Sequence, residues 1–499
     1  MSLAFKNQNI QLSEQKQKIQ LLLEAAVERH QNGNLAAANM IYEKIRKIDP
    51  DNVVALQLSG VLACQVQQYE ASLSLFSRAI YLKPDYAEAY NNRGITFKNM
   101  GQFDDALANY SKAVSLKPDY AEPFNNRALV LVELDRFNEA MINYEQAISL
   151  NPESAEIYSN RALLLKELGR FDEAMADLNK AIALDPTYPE AHWNKALQLL
   201  LFGEFEEGWP LCEWRWKTEQ KHIGTELTTS KPRWSGEANK RVFLWAEQGI
   251  GDEIMYASLI PELAATSSKL IVQCDERLIP LFKRSFVDGI EYRCRKSPAL
   301  EDSYDCHIPM GSLPNIFRPS LDSFSKASKA YLRCESERSQ ELRKTLLKGE
   351  AKTLIGISWN SSSPIAGAHH RNITLSDMAQ HLDGPNVKLV NLQYGDVSDE
   401  IAKLREDHGI EVAEVSEIDN RNDIDGLAAL IMACDQIVSI DNATVHLAGA
   451  LGANTRVLLP FNRSWQWGLE RSDSYWYGSL QLHRQKKPGD WKPTLKTIK

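Results

Sequence analysis

Two short stretches of this sequence carry side chains whose types and spacing could do chemistry. The first is "EQGIGDE", Glu247 to Glu253, preceded by "RVFLWA" and followed by "IMYASLIPEL". An apolar run, a glycine turn and a helix-prone segment follow one another. Such turns ordinarily receive phosphate, because a helix N-terminus presents N–H groups and the positive end of a dipole. This one carries Glu247, Asp252 and Glu253, which have the wrong sign for a phosphate. Carboxylates there can cap the following helix, and they stay ionised at its N-terminus. Gly249 and Gly251 supply the turn, or let a ligand approach the backbone closely.

The second stretch is "IVSIDNATVHLAGALGA", which runs from a buried strand into a turn at Asp441–Asn442 and then into a helix of small residues. Here phosphate is welcome. The N–H groups around Ala443 to Val445 could grip a diphosphate. Thr444 adds a hydroxyl, and His446 lies about one helical turn in. A cationic His446 would neutralise a leaving group and a neutral one would still donate a hydrogen bond. The plainer alternative is an N-cap at Asp441 and a packed histidine. Trp359 and Asn360 end one candidate strand and Gln393 ends another. Arg371 follows in a loop, where it could pair with a diphosphate. Trp467 and Arg471 lie in "SWQWGLERSD". His369 and His370 have no third ligand nearby, so no metal is expected.

The elements that must position these groups alternate between strand and helix. Candidate strands are 241–246, 269–274, 290–293, 305–310, 353–359, 387–393, 410–415, 436–440 and 455–460. Helices fit at 252–266, 276–287, 375–382, 397–408 and 425–433. This is the order of doubly wound parallel sheets. A polar, helix-prone segment at 315–350 divides them into two Rossmann-like domains, 236–345 and 350–485, facing a cleft. Ligands of such sheets bind beyond the C-terminal strand ends.

The first 200 or so residues are different. Proline recurs at 50, 84, 118, 152 and 186, always 34 apart, inside repeated text such as "YLKPDYAEAY" and "SLKPDYAEPF". A small residue recurs at Gly60, Gly94, Ala128, Ala162 and Ala196. One helix stripe, Phe103, Ala106, Leu107, Tyr110, Ala113 and Val114, makes a single apolar face. A 34-residue period with two helices per unit resembles the tetratricopeptide repeat. That resemblance implies an α-solenoid over 20–216, then a linker over 217–235. Trp209, Trp214 and Trp216 fit a cap on its open end. Asn92, Asn126, Asn160 and Asn194 stand in register, with Asn91 and Asn125 beside two of them. An amide offers a donor and an acceptor together, which suits the backbone of an extended peptide. A similar ladder is found in the repeat domains of O-linked N-acetylglucosamine transferases; the alternative is a solvated Asn copied by duplication.

The segment "IMACDQIVSIDNATVHLAGALGANTRVLLP" resembles the D-[TN]-[GA]-x-x-H-x-A-x-A-x-G segment of the heptosyltransferase-like glycosyltransferases of family 9, which have the two-domain GT-B fold. "EQGIGDEIMYASLIPEL" resembles that family's N-terminal G-x-G-D loop. "GISWNSSSPIAGAHHRNITL" and "LLPFNRSWQWGLERSDSYWYGSLQLHRQKKPGDW" resemble segments of bacterial proteins that join tetratricopeptide repeats to such a transferase. The resemblance implies a nucleotide-sugar donor near Asp441, Asn442, Thr444 and His446, and a general base at Asp252. It implies no cofactor and no metal, and suggests ADP-heptose, although UDP- and GDP-sugars fit the same fold. One departure stands out: family members carry a Lys after the first strand of the second domain, and "WNSSSPIAGAHHRN" has none. Arg371 would have to substitute for it.

Composition bounds the rest. The chain has 499 residues, a net charge of −9 and seven scattered cysteines without a CxxC pair. Neither a zinc site nor a disulfide framework is indicated. The acidic balance argues against nucleic acid as a partner, although "HRQKKPGDWKP" is a local basic patch. No signal peptide or transmembrane segment is expected, so the expected location is cytoplasmic. The leading expectation is a glycosyltransferase whose repeats recruit a polypeptide acceptor. Its competitors are a non-catalytic repeat scaffold, whose transferase-like domain binds only nucleotide or partner, and transfer to a glycan or lipid-linked acceptor.

Overall fold

The computed structural model describes residues 3–218, 226–326, 330–361 and 368–498. Packing divides the chain into two compact units, Met1–Leu168 with Ala183–Asp185, and Gly169–Ile182 with Pro186–Lys499. The repeat helices therefore do not all pack as one body: all but the end of Phe171–Leu184, and the helices from Pro189 onward, belong with the sheets.

The first unit is a helical repeat. After Leu3–Gln31 and Leu35–Ile48 come the helices Val53–Gln65, Tyr69–Leu82, Ala87–Asn99, Phe103–Leu116, Ala121–Glu133, Phe137–Leu150 and Ala155–Glu167. The phased prolines sit in the turns just past a helix, where a residue without an N–H cannot continue it. The small residue of each first helix has a clear cause. A Cβ on Gly60 would lie 2.8 Å from the Phe76 ring, and one on Gly94 2.6 Å from the Tyr110 ring. A second 34-residue period lies in the backbone. Gly33, Gln67, Gly101, Asp135, Gly169 and Gly203 all have φ between 57° and 83°. This left-handed residue closes each first helix, and glycine adopts it without strain.

The second unit holds two all-parallel sheets. The first contains β1 (Arg241–Trp245), β2 (Lys269–Cys274), β3 (Glu291–Cys294) and β4 (Cys306–Pro309), in the order β3-β2-β1-β4. The second contains β5 (Thr353–Ser358), β6 (Val387–Asn391), β7 (Val412–Ala413), β8 (Gln436–Ile440), β9 (Thr455–Leu459) and β10 (Leu480–Arg484), in the order β10-β9-β8-β5-β6-β7. All nine expected strands form; β10 is an edge strand beyond those expected. The helix expected over 252–266 is two helices, Ile250–Ala257 and Ile260–Thr266, with Pro261 in the first turn of the second. In each sheet the chain starts centrally, runs to one side and then returns to the other. The direction reverses between β1 and β4, and between β5 and β8. Crevices form at such reversals, beyond the C-terminal strand ends.

One hydrophobic core is continuous from Leu200, Phe205 and Trp209 through both sheets to Trp467 and Tyr477. The three tryptophans near the end of the repeats are structural. Trp209 is buried and donates to the Arg318 carbonyl at 2.8 Å, Trp214 stacks on His192 at 3.9 Å, and Trp216 packs against Trp245 at 5.4 Å. The expected linker is described only outside 219–225; there Trp234 N–H donates to the His307 carbonyl and His307 N–H to the Pro232 carbonyl, beside β4. No helix among the described residues is long and apolar enough to cross a membrane.

Candidate functional site

The turn after β1 gives its three acids three different fates. Glu247 is buried, and both its carboxylate oxygens accept from Arg215, at 3.0 and 3.1 Å. Glu253 is buried as well; its Oε2 accepts the Asp275 N–H at 2.8 Å and its Oε1 pairs with Arg295. Burial pushes the Glu253 carboxyl up to about 7, against the pull of Arg295 and the Asp275 N–H. Asp252 is bound less. Its Oδ2 accepts the Gly249 N–H at 3.2 Å, and Oδ1 has no partner among the described residues. Burial first, then the neighbouring Asp441, raises its carboxyl to about 6; the Gly249 N–H, Arg371 and Arg295 pull the other way. A carboxylate so placed is mostly ionised at neutral pH yet holds a proton well enough to act as a base.

Asp252 reaches Asp441 and Arg371 because the two turns face each other. The helix Ile250–Ala257 lies against the helix Ala443–Leu451 that follows β8. A Cβ on Gly251 would stand 3.0 Å from His446 Cδ2 and 3.7 Å from Ala443 Cα. Glycine at 251 therefore serves the approach of one helix start to the other, beyond forming the turn itself. His446 Nδ1 shares a hydrogen bond of 2.9 Å with the Tyr477 hydroxyl, and its ring stacks on Trp467 at 5.2 Å. Burial lowers it to about 4, outweighing the pull of Asp441. This favours the neutral of the two alternatives, since a charged imidazole would lack water and have Arg371 nearby.

Several residues expected to touch a donor hold side-chain contacts that build the scaffold. Asn442 caps the helix, its Oδ1 accepting from Thr444 N–H at 3.0 Å, while its Nδ2 donates to Ser358 Oγ at 2.8 Å and the Asn360 carbonyl at 3.2 Å. Gln393 Oε1 accepts from Ser358 Oγ and from the backbone N–H groups of Trp359 and Asn360, at 3.1, 2.9 and 2.8 Å. Trp359 is buried in the core beside β5, its indole N–H on Glu400 at 2.8 Å. It faces the core because side chains alternate along a strand. Of the amides expected to be open, Thr444 N–H is taken by Asn442 Oδ1 and Val445 N–H by the Asn442 carbonyl, so Ala443 N–H is the one left. The Asn360 side chain makes no hydrogen bond among the described residues. Much of the loop between it and Arg371, 362–367, lies outside the described residues.

Positive charge collects at this end of the second sheet. Arg371 stands 3.8 Å from Asp441. Arg484, at the end of β10, is held down to about 10 by burial and by Arg463 beside it. Its Nη2 donates to the Trp467 carbonyl at 2.5 Å. Four buried polar groups in this region have no partner among the described residues: Arg484 Nε, Trp467 Nε1, Gln485 Nε2 and Thr444 Oγ1. All four can donate, and burying unpaired donors is costly unless something accepts from them. Neither Arg463 nor Arg484 is singled out by the sequence, although Arg484 lies in the basic patch "HRQKKPGDWKP". Arg471 is turned to Asp473 at 2.7 Å.

A cavity of about 450 Å³ opens beyond the ends of β6 and β7, lined by Asn391, Gln393, Asp396, Glu414, Asn420 and Arg421 among others. Asn420 Nδ2 donates to the carbonyls of Asn391 and Gln393, both at 3.1 Å, which leaves its buried Oδ1 without a donor. Among the described residues no group of three His, Cys, Asp or Glu could hold a metal.

In the repeat unit the asparagines bond to one another. Asn126 Nδ2 donates to Asn91 Oδ1 at 3.0 Å and Asn160 Nδ2 to Asn125 Oδ1 at 3.1 Å. Asn91 and Asn125 pass the pattern on to Glu122 and Glu156, at 2.8 and 3.0 Å. The donor half of the expected amide pair is thus largely engaged in stitching repeats. Asn92 makes no side-chain hydrogen bond among the described residues, and Asn194 belongs to the second unit.

Likeness to known proteins follows the same division. The tetratricopeptide repeat model matches residues 87–120, and a second TPR repeat model matches 63–101, 128–169 and 162–199. The helical region is a tetratricopeptide-repeat α-solenoid. Protein FlbA of Caulobacter vibrioides is 31% identical over 280 residues, 53% of this chain and 46% of that protein. The chain thus spans less than half the length of that relative. Among solved structures, a thermophilic TPR protein of Thermus thermophilus is 24% identical, with 36% of this chain and 99% of that one covered at a TM-score of 0.34. A tetratricopeptide repeat protein of Parabacteroides merdae is 18% identical, with 42% and 82% covered at 0.34. The matched repeat models end at residue 199, short of the two sheets.

Proposed function

We propose that the protein is a glycosyltransferase of the GT-B class, similar to family 9, that moves a sugar from a nucleoside-diphosphate donor to an acceptor hydroxyl. The observation that carries this reading is the meeting of the two turns: a base-strength carboxylate at 252 faces an anion-seeking helix start at 441–446 across a gap that leaves little room for a side chain at 251. The sheet orders support it, because each turn lies at a chain reversal. In this reading 236–345 is the acceptor domain and 350–485 the donor domain, joined by the segment 217–235 to repeats over 20–216.

The nucleoside occupies the cavity beyond β6 and β7, where Glu414, Asp396 and Asn420 Oδ1 accept from its hydroxyl and amino groups. The diphosphate lies at the reversal between β5 and β8. There Ala443 N–H, Thr444 Oγ1, Arg371 and Arg484 take the place of the missing Lys, with the Asn360 side chain at the rim. Trp359 and Asn442 shape that site without touching the ligand, while Gln393 supports it and also lines the nucleoside cavity. Asp252 takes the proton from the acceptor hydroxyl as its oxygen attacks the anomeric carbon. The bond from that carbon to the diphosphate breaks, and the nucleoside diphosphate leaves with the electron pair. Donors preorganised around developing charge do most of such work. His446, neutral, contributes its remaining ring nitrogen as a hydrogen-bonding group. No cofactor enters; the nucleotide sugar is a co-substrate.

The repeats recruit the acceptor, a polypeptide or partner protein, in the cytoplasm. A thermal-shift screen against ADP-, UDP-, GDP- and CMP-sugars tests the reading first, since a ligand that binds only the folded state must raise the melting temperature. Stabilisation by one nucleotide class, lost in Arg484→Met, supports it. No shift with any of them at millimolar concentration sinks it in favour of the repeat scaffold.

A further inference from the structure

Arg215 lies in the short 3-10 turn Cys212–Lys217 that follows the last repeat-like helix, far in sequence from the turn at 247–251. Its side chain and that of Glu247 are each 1% exposed. Both terminal nitrogens of the guanidinium have partners: Nη2 donates to both Glu247 oxygens and to Ser312 Oγ at 2.9 Å, and Nη1 to the Cys212 carbonyl at 2.9 Å and Glu213 Oε1 at 3.1 Å, while the buried Nε has no partner among the described residues. Ser312 in turn donates to Glu213. Gly311 leaves the room, since a Cβ there would collide with Glu247 Oε1. The Arg215 charge lies over the Trp216 ring at 4.4 Å, and Trp216 packs on Trp245, the last residue of β1.

The turn is therefore tied at both ends by ion pairs, the first buried on both sides and the second between a buried Glu253 and an exposed Arg295. Arg215 holds Glu247 at its start. Arg295 and the Asp275 N–H hold Glu253 at its finish. Between them lie the contact of Arg295 to the Gln248 carbonyl, that of Gly249 N–H to Asp252 Oδ2 at 3.2 Å and that of Glu253 N–H to the Gly249 carbonyl at 3.1 Å. A glycine-containing turn is free to take other conformations. A buried ion pair seldom adds net stability over an apolar pair of the same volume, so stability alone does not account for it.

We infer that Arg215 is a positioning residue: through Glu247 it fixes the glycine turn that aims Asp252, which makes the segment after the repeat helices a working part of the site in the sheet region. The consequence for turnover rests on the glycosyl-transfer reading; the consequence for the turn does not.

The test uses the full chain carrying Arg215→Met with Glu247→Leu, which removes both charges at similar volume. Melting temperature, hydrogen exchange at Gly249 and Glu253, and steady-state kinetics are measured together. The expected result is a melting temperature close to wild type, amide exchange at those two positions faster by about 10-fold or more, and a fall in kcat with the donor KM unchanged. Exchange at the wild-type rate in a folded double variant overturns the inference. Should that variant fail to fold, Glu247→Gln, which keeps the volume and an acceptor for Arg215, takes its place: faster exchange at Gly249 and Glu253 supports the clamp, and the wild-type rate overturns it. Faster exchange in the variant, with no turnover by wild type on any nucleotide sugar, leaves the clamp standing and removes the glycosyl-transfer reading.

Discussion

The turn after β1 and the turn after β8 flank the chain reversals of their sheets from opposite sides, one after the strand that starts its sheet and the other after the strand reached on the return, and they are built from opposite materials. The first is secured by ion pairs on buried carboxylates, Arg215 on Glu247 and Arg295 on Glu253. The second is secured by neutral amides and hydroxyls: Asn442, Gln393 and Ser358 bond to one another or to the loop after β5. In the proposed reading the difference follows from what each turn presents. A turn that offers a carboxylate as a base can keep paired ions nearby, because their charges cancel and burial sets the acid's affinity for a proton. A turn that must receive an anion is weakened by acids in its framework, and its arginines are kept for the guest. Asp441 is the exception, and Arg371 stands close enough to offset it.

Asp252→Asn breaks the comparison most severely. It keeps shape and the Gly249 contact but abolishes the base. Turnover is expected to fall by about 10²–10⁴-fold, while donor binding, read by thermal shift, stays as in wild type. An equal loss in donor affinity would show that the two turns do not divide the labour. Arg484→Met strikes the other turn. Removing a largely desolvated guanidinium from a phosphate costs about 1.5–3 kcal/mol, so donor affinity should weaken by about 10–100-fold, read by calorimetry. Acceptor KM should not move.

How much of this was legible beforehand depended on distance along the chain. The central strands announced themselves as apolar runs, because a strand covered on both faces carries no alternation. β10 did not: at the sheet edge its residues alternate between buried and exposed, and its text, "LQLHR", runs into a basic patch. Asp252 was visible from the turn it closes. Trp359 misled because ending a strand at a cleft does not settle which face a side chain takes. The asparagine ladder was visible as a period, but not that Asn126 and Asn160 direct their N–H groups to Asn91 and Asn125, 35 residues back. Arg215 with Glu247 and Arg484 with Trp467 are pairings made only by folding, and nothing local in either partner marks them.

Gly251→Ala tests the closeness of the two turns. The new methyl would meet His446 Cδ2 at 3.0 Å, and His446 has little room to yield between Trp467 and Tyr477. Overpacking of this kind costs about 1–3 kcal/mol, visible as a lower midpoint in urea. The repeats show the contrast, since the place held by Gly94 in one unit is held by Ala128 and Ala162 in the next two. Unchanged stability in Gly251→Ala would mean that the two helix starts can separate freely, and the division of labour between the turns would lose its geometric basis.

The smallest expected effect has the opposite sign. Asp252 is raised to about 6 in the folded chain, above its unfolded value of about 4. Below about pH 4 both states hold the proton and nothing is lost. As pH rises through 4 to 6 the unfolded chain releases its proton first, so the folded state loses stability, and above about 6 the loss is complete. Asn at 252 carries no such charge. Asp252→Asn should therefore be more stable than wild type at pH 7.5 by about 1 kcal/mol, after allowance for the partial exposure of the carboxylate. The two proteins should converge at pH 4. Denaturant midpoints at the two pH values measure it. A gain in stability paired with a loss of turnover would mark the acid as one kept for chemistry against the interest of the fold; equal stability at both values would mean that the N–H of Gly249 and the arginines fully offset its burial, leaving capping of the helix as its main task.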